Sequence, residues 1–292
     1  MPMKTIKQGM RDEAVKVMQT ELSRLGYNLT ADGAFGPGTL AAVKDFQHKH
    51  GLSVDGIAGY STWEAVLFAD RPAQEKLTEE DFVLAARLLD CEAAALKAVQ
   101  KVETGGRGGF FAPGKPAILF EGHVFWKQLR QRGLRPEKLA SANPDILYPK
   151  WTKRHYQGGL GEYARLEKAR KIHPSAANAS ASWGMFQVMG FHFATCGFRT
   201  VGDFVAAMCE SERRQLLATC RFISKTNGML ASLRAKKWAT FASLYNGSGY
   251  AENQYDRKLQ TAYLNFLAKS TCVGGQIIVM VLYRQAEAEP YS

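Results

Sequence analysis

The chain lacks any run of about 18 apolar residues, so no segment reads as a membrane-spanning helix. The densest apolar stretch near the end, Ile277 to Tyr283, is too short to span and reads as a packed strand or a short contact element. The N-terminus, Met1-Pro2-Met3-Lys4-Thr5-Ile6-Lys7, lacks the apolar run of a signal peptide, so synthesis in the cytoplasm is expected. Cysteine is scarce: five residues, at 91, 196, 209, 220 and 272, an odd number without a C-x-x-C pair. That argues against a disulfide framework and a structural zinc site, and for reduced thiols. None of the six histidines forms an H-E-x-x-H motif, so no metal site is expected. Acidic residues are few, 27 against 38 Lys and Arg, for a net charge of +11. Residues 1–70 carry a net −1, so the excess belongs to the larger C-terminal part. A basic face attracts polyanions. No nucleic-acid-binding motif accompanies it, and the basic residues are dispersed from Lys127 through Lys171.

What is present is a motif written twice. Asp32-Gly33-x-x-Gly36-x-x-Thr39-x-x-Ala42-Val43 recurs 23 residues later as Asp55-Gly56-x-x-Gly59-x-x-Thr62-x-x-Ala65-Val66. A fixed-period repeat signals a duplicated supersecondary unit. Asp-Gly suits a tight turn, since Gly accepts positive φ and Asp can bond its own backbone. Thr39 and Thr62 are then expected as N-caps, with a capping box Ser61-x-x-Glu64 in the second copy. Ahead of the repeat, Val15, Met18, Leu22 and Leu25 share one face of a helix that stops at Leu25-Gly26-Tyr27. Residues Gly9 to Leu67 resemble the three-helix peptidoglycan-binding module of cell-wall hydrolases. The shared residues include Met18-Gln19, Asp32-Gly33-x-Phe35-Gly36, Phe46-Gln47, Gly51-Leu52, Asp55-Gly56 and Thr62-Trp63. Most of these build a small core, whereas Gln47 and Tyr60 are the expected ligand contacts.

Polar, Pro-containing residues 69–77 read as a linker. Thr78-x-x-Asp81 opens a helix with a capping box, and Asp90 looks like the N-cap of the next, from Glu92 to about Glu103. Leu96, Val99 and Glu103 share a face of that helix. A carboxylate thus ends an apolar stripe in the last turn before Gly105-Gly106. Apolar surroundings and the negative end of the helix dipole both disfavour its charged form. A carboxylic acid that stays protonated is what glycoside hydrolysis uses to protonate the leaving oxygen.

Val102-Glu103-Thr104-Gly105-Gly106 is followed by Ile118-Leu119-Phe120-Glu121-Gly122-His123, then by Ser182-Trp183-Gly184-Met185-Phe186-Gln187-Val188-Met189-Gly190 and by Tyr245-Asn246-Gly247. This order resembles goose-type lysozymes and lytic transglycosylases. More closely, with Cys196-Gly197-Phe198, Val201-Gly202-Asp203-Phe204 and Tyr255-Asp256-x-x-Leu259, it resembles the N-acetylmuramidase domain of modular bacteriophage endolysins. The resemblance implies a mainly α fold: a peptidoglycan-binding domain (1–68), a linker (69–77), a lysozyme-like catalytic domain with a small β element near 118–121 (78–270), and a tail of open role (271–292).

The resemblance also implies Glu103 as general acid, acting without a cofactor, and Gln187, Tyr245 and Asn246 as groups that contact sugar or orient the acid. Ser182 and Trp183 are candidates for the cleft wall, with Trp183 either stacking on sugar or buried in the core. Glu121 is either a second catalytic carboxylate or a structural anchor. The implied partner is peptidoglycan, reached in the periplasm once the membrane is permeabilised. The basic domain adds a possible anionic outer-membrane contact, and a monomer is expected. A lytic transglycosylase, a zinc amidase or peptidase, and a non-enzymatic wall-binding protein are the competing readings.

Overall fold

In the computed structural model, which describes residues 4–70, 76–105 and 108–270, the duplicated motif folds as two copies of one polar staple. Gln19 lies on helix α1 (Glu13–Arg24) and is buried. Its amide nitrogen stands 2.9 Å from Asp32 Oδ1, 3.0 Å from the Ala34 carbonyl and 3.0 Å from Thr39 Oγ1. Its oxygen accepts from the Gly33 N–H at 2.9 Å. Gln47, on α2 (Pro37–Lys49), repeats this on the second turn, with Asp55 Oδ1 at 2.9 Å, the Ile57 carbonyl at 3.0 Å, Thr62 Oγ1 at 3.2 Å and the Gly56 N–H at 2.9 Å. Helix α3 (Tyr60–Phe68) completes the module around Ile6, Val15, Met18, Phe35, Val43, Phe46 and Trp63.

Three local expectations are corrected here. Gln47 is 1 % exposed and braces the fold, so it offers no amide to a ligand. Thr39 and Thr62 sit inside the first turns of α2 and α3, whose N-caps are Gly36 and Gly59 without a side-chain cap bond. Their hydroxyls serve the glutamine staples instead. The Ser61/Glu64 capping box does not form, because Ser61 lies inside α3, whose N-cap is Gly59, and the buried Glu64 carboxylate pairs with the guanidinium of Arg221.

The larger part begins with α4 (Glu79–Leu89), where the Thr78/Asp81 capping box is present, and α5 (Ala93–Thr104). Asp90 ends α4 in the left-handed region (φ +51°), and Glu92 is the N-cap of α5. A hairpin of β1 (Phe110–Ala112) and β2 (Lys115–Pro116) follows. Strand β3 (Ile118–Phe120) pairs antiparallel with β4 (Ala181–Trp183), which pairs with β5 (Val188–Met189). Between β3 and β4 run α6 (Gly122–Gln131), α7 (Glu137–Ala140), α8 (Gly161–Ile172) and α9 (Pro174–Ala179). After the sheet come α10 (Val201–Glu210), α11 (Glu212–Lys225), α12 (Met229–Arg234), α13 (Trp238–Asn246) and α14 (Tyr255–Ser270). The fold is mainly α, with the small β element where the sequence predicts it. Part of the expected linker (71–75) and all of the expected tail, with Cys272, lie outside the described residues.

Buried side chains hold this framework. Glu162 and Arg165, fully buried on α8, pair at 2.7 Å. Glu162 accepts from the Phe120 N–H, and Arg165 donates to the Phe120 carbonyl at 2.9 Å, so together they clamp the end of β3. On α11, Gln215 accepts from the Met185 N–H at 2.7 Å and donates to the Met208 carbonyl at 2.9 Å. The β4–β5 turn passes so close that a Cβ on Gly184 would lie 2.6 Å from Gln215 Cδ. Its φ of +72° also calls for glycine.

The two parts share a core. Leu84, Leu88 and Leu217 pack into the hydrophobic cluster of the N-terminal module. Glu64 and Arg221 close the junction with a two-pronged ion pair at 2.9 and 3.0 Å. Tyr60 lies in this junction with Arg221 over its ring at 5.7 Å, and burial pushes its hydroxyl pKa up. It is therefore not the exposed ligand contact expected from sequence.

Gln47→Ala leaves the Gly56 N–H without its partner inside the module. Loss of a buried polar partner costs about 1–3 kcal/mol, so a clearly lower thermal unfolding midpoint by circular dichroism is expected. An unchanged midpoint would show that water substitutes for the staple.

Candidate active site

Glu103 occupies the last turn of α5, and Gly105 ends the helix with φ +60°. Leu96 and Val99, on the same face, are fully buried. The Glu103 side chain keeps a partly exposed edge. Protein nevertheless surrounds its carboxyl, and burial pushes the pKa up to about 7. The Asn246 amide donates to Glu103 Oε1 at 2.9 Å and pulls weakly the other way. Asn246 stands at the end of α13, so a residue 143 positions away in sequence orients the carboxyl.

Tyr245 neighbours this pair but bonds elsewhere. Its hydroxyl donates to the Phe186 carbonyl at 2.8 Å and not to Glu103. Burial, and then the charge of Glu103, push its pKa up. The bond ties α13 to the β4–β5 turn. In that turn Gln187 adopts φ +50°. Its amide nitrogen faces the Gly184 carbonyl at 2.8 Å and the Ala117 carbonyl at 3.2 Å. Its oxygen accepts from the Ser182 hydroxyl at 2.7 Å. Gln187 and Ser182 thus shape the turn that Tyr245 ties to α13, and their polar groups are already engaged. Trp183 is apart from them. It is 1 % exposed and donates to the Asn178 carbonyl at 3.0 Å, so it is a core residue and cannot stack on a sugar.

Glu121 stands at the start of α6. The Tyr156 hydroxyl lies 2.8 and 2.9 Å from its two oxygens, and His123 Nδ1 lies 3.3 Å from Oε2. Neither partner also contacts Glu103. Tyr255 is the neighbour that sequence reasoning left out of the site. Burial raises its pKa, and the charge of Glu103 raises it further. Its place in the Tyr-Asp-x-x-Leu motif was the signal available.

On the N-terminal module, a cavity of about 310 Å³ opens where α1 and α2 end, lined by Leu25, Tyr27, Phe46, Lys49, His50 and Asp70. With Gln47 and the Tyr60 hydroxyl buried, this is a concave polar–aromatic surface that the module presents. Among the described residues, no helix is long and apolar enough to cross a membrane.

Residues 92–267 match the family model described as N-acetylmuramidase, and residues 11–66 match that of a peptidoglycan binding domain. The crystal structure of the Burkholderia AP3 phage endolysin is similar in fold, with a TM-score of 0.61 and 42 % identity, covering 90 % of this chain and 99 % of that one. Two curated relatives match over shorter stretches. The spore cortex-lytic enzyme of Oceanobacillus iheyensis is 40 % identical over 76 residues, 26 % of this chain and 28 % of that protein. The zinc D-Ala-D-Ala carboxypeptidase of Streptomyces albus G is 42 % identical over 65 residues, 21 % of this chain and 26 % of that protein. The chain therefore spans about a quarter of the length of these two relatives.

The raised pKa of Glu103 has a stability consequence with a definite sign. The folded state holds this proton up to about pH 7, whereas the unfolded chain releases it near 4.5. The contribution is therefore fully present below pH 4.5 and is lost as pH rises through 7, by roughly 3 kcal/mol at most. Glu103→Gln carries no such charge. The variant is expected to melt at the wild-type temperature at pH 4 and above it at pH 8. Equal melting temperatures at both pH values would mean that the carboxyl is not buried in solution.

Proposed function

The chain belongs to the N-acetylmuramidase family, and we propose that it hydrolyses the β-1,4 bond between N-acetylmuramic acid and N-acetylglucosamine in peptidoglycan, as a phage endolysin, with Glu103 as general acid. The observation that carries this is the carboxyl of Glu103 at a helix end, surrounded by protein and held at 2.9 Å by the Asn246 amide, where burial pushes its pKa up to about 7. In the reaction the C1–O bond of the muramic acid breaks and its electron pair stays on the glycosidic oxygen. Glu103 supplies the proton that this oxygen takes up. Water then adds to C1, its released proton returns to the Glu103 carboxylate, and a reducing end is left. Asn246 holds the acid in place, and the turn built by Ser182, Gly184 and Gln187 walls the site. The N-terminal module holds the enzyme on its insoluble substrate, through the face lined by Tyr27 and His50. Domain limits near 68 and 78 fit this division of labour.

Glu103→Gln keeps size and hydrogen bonding but has no proton to give. Loss of a general acid costs about 10²–10⁴-fold in rate. The variant is expected to sediment with sacculi like the wild type and barely to lyse them. Glu121→Gln is the comparison: if it abolishes lysis while Glu103→Gln retains most of it, the acid is misassigned. Wild-type activity is expected to fall as pH rises through about 7, where Glu103 loses its proton. Mass analysis of the released muropeptides distinguishes the chemistry, because reducing ends mark hydrolysis and anhydro ends would mark transglycosylation.

The positive charge of the larger part suits an anionic wall and an anionic outer-membrane surface. Screening confines such attraction to about 8 Å at 0.15 M salt. Lysis is expected to decline with ionic strength, and a flat profile would leave the charge a role in solubility alone.

A further inference from the structure

A second concave surface lies on another face of the end of α5, next to Val102 and Gly105, the residue before Glu103 and the second residue after it. Val102 and Gly105 line it, and from there it runs between α5 and α14. Its volume is about 800 Å³, within the range of sites that enclose a ligand. Lys101, Arg257 and Lys258 stand around it. All three are exposed, and among the described residues no acidic side chain lines the groove. Other cations of this part of the molecule, such as Arg165, Arg213 and Lys236, are committed to carboxylates. The groove also has apolar wall, from Val102, Ala262 and Phe266.

We propose that this groove binds the peptide stem of the substrate, taking its carboxylates on Lys101, Arg257 and Lys258. The inference rests on the muramidase function proposed above. The glycan strand offers uncharged sugars, so it has nothing to pair with three cations. The stem does: besides alanine it contains residues that carry free carboxylates, and it hangs from the lactyl group of the muramic acid. That sugar is the one whose glycosidic bond is cut, so its stem starts beside the acid. A few extended residues, at about 3.3–3.6 Å each, carry it along a groove that opens at Val102 and Gly105. Alanine methyl groups suit the apolar wall, and a guanidinium presents paired donors to a carboxylate.

The test uses the full chain with Lys101→Ala, Arg257→Ala and Lys258→Ala combined. Two soluble substrates are compared at low salt: glycan chains bearing uncrosslinked stems, and the same chains with the stems removed by an amidase and the lactyl carboxylates this exposes capped as methylamides. Wild type is expected to prefer stem-bearing chains by about tenfold or more in kcat/KM. The triple variant is expected to lose that preference through KM, with kcat and the rate on stripped chains unchanged. Unchanged cleavage of stripped chains also verifies that the variant is folded. An equal loss on both substrates, or no loss on stem-bearing chains, overturns the groove as a stem site while Glu103-dependent cleavage stands. If wild type cuts neither substrate, the muramidase function itself fails and the stem site with it.

Discussion

Backbone amides in the loops around the site have no strand or helix to bond to, and buried side chains on one helix satisfy them. Glu212 of α11 accepts from the Gly109 N–H at 2.7 Å and the Leu77 N–H at 2.9 Å. One turn on, Gln215 takes the Met185 N–H. Two turns further, Arg221 reaches the module through Glu64. Three segments that share no sequence neighbourhood are thereby pinned to one rigid rod: the chain after the acid, the β4–β5 turn and the binding module. An unpaired buried amide is costly, so each of these contacts is strongly specified. The placement of the β4–β5 turn, which Tyr245 ties to the helix that carries Asn246, follows from them.

Against that scaffold Glu103 is a deliberate mismatch. Elsewhere the buried carboxylates are compensated: Glu162 by Arg165 and three backbone N–H groups, Asp81 by Arg213, Glu212 by two N–H groups. Glu103 has a neutral amide for a partner and apolar residues beneath it. Burial without a countercharge pushes a carboxyl so placed towards its protonated form. That local mismatch is what the proposed role of Glu103 as an acid rests on.

The junction between the two parts gives the binding module an orientation. With Leu84, Leu88 and Leu217 inside the module's core and Arg221 on Glu64, the module is docked on the catalytic part through α3. Its open face near Tyr27 and His50 is then presented in a set direction relative to Glu103.

Much of this was legible along the chain, because it depends on neighbours in sequence. The duplicated Asp-Gly motif, the Thr78/Asp81 box, the stripe of Leu96 and Val99 leading to Glu103, and the mainly helical architecture all follow from local periodicity and capping chemistry. So does the raised pKa of Glu103, in direction. What tertiary structure decided was which polar groups remain free. Gln47 and Trp183 look like ligand contacts in sequence, but their hydrogen-bond partners lie inside the fold and bury them. Tyr60 is covered by a helix more than 150 residues away. Tyr245 spends its hydroxyl on the Phe186 carbonyl and leaves the acid to Asn246. A polar residue's availability is set by the partners that packing brings to it, and those contacts span distances no local pattern encodes.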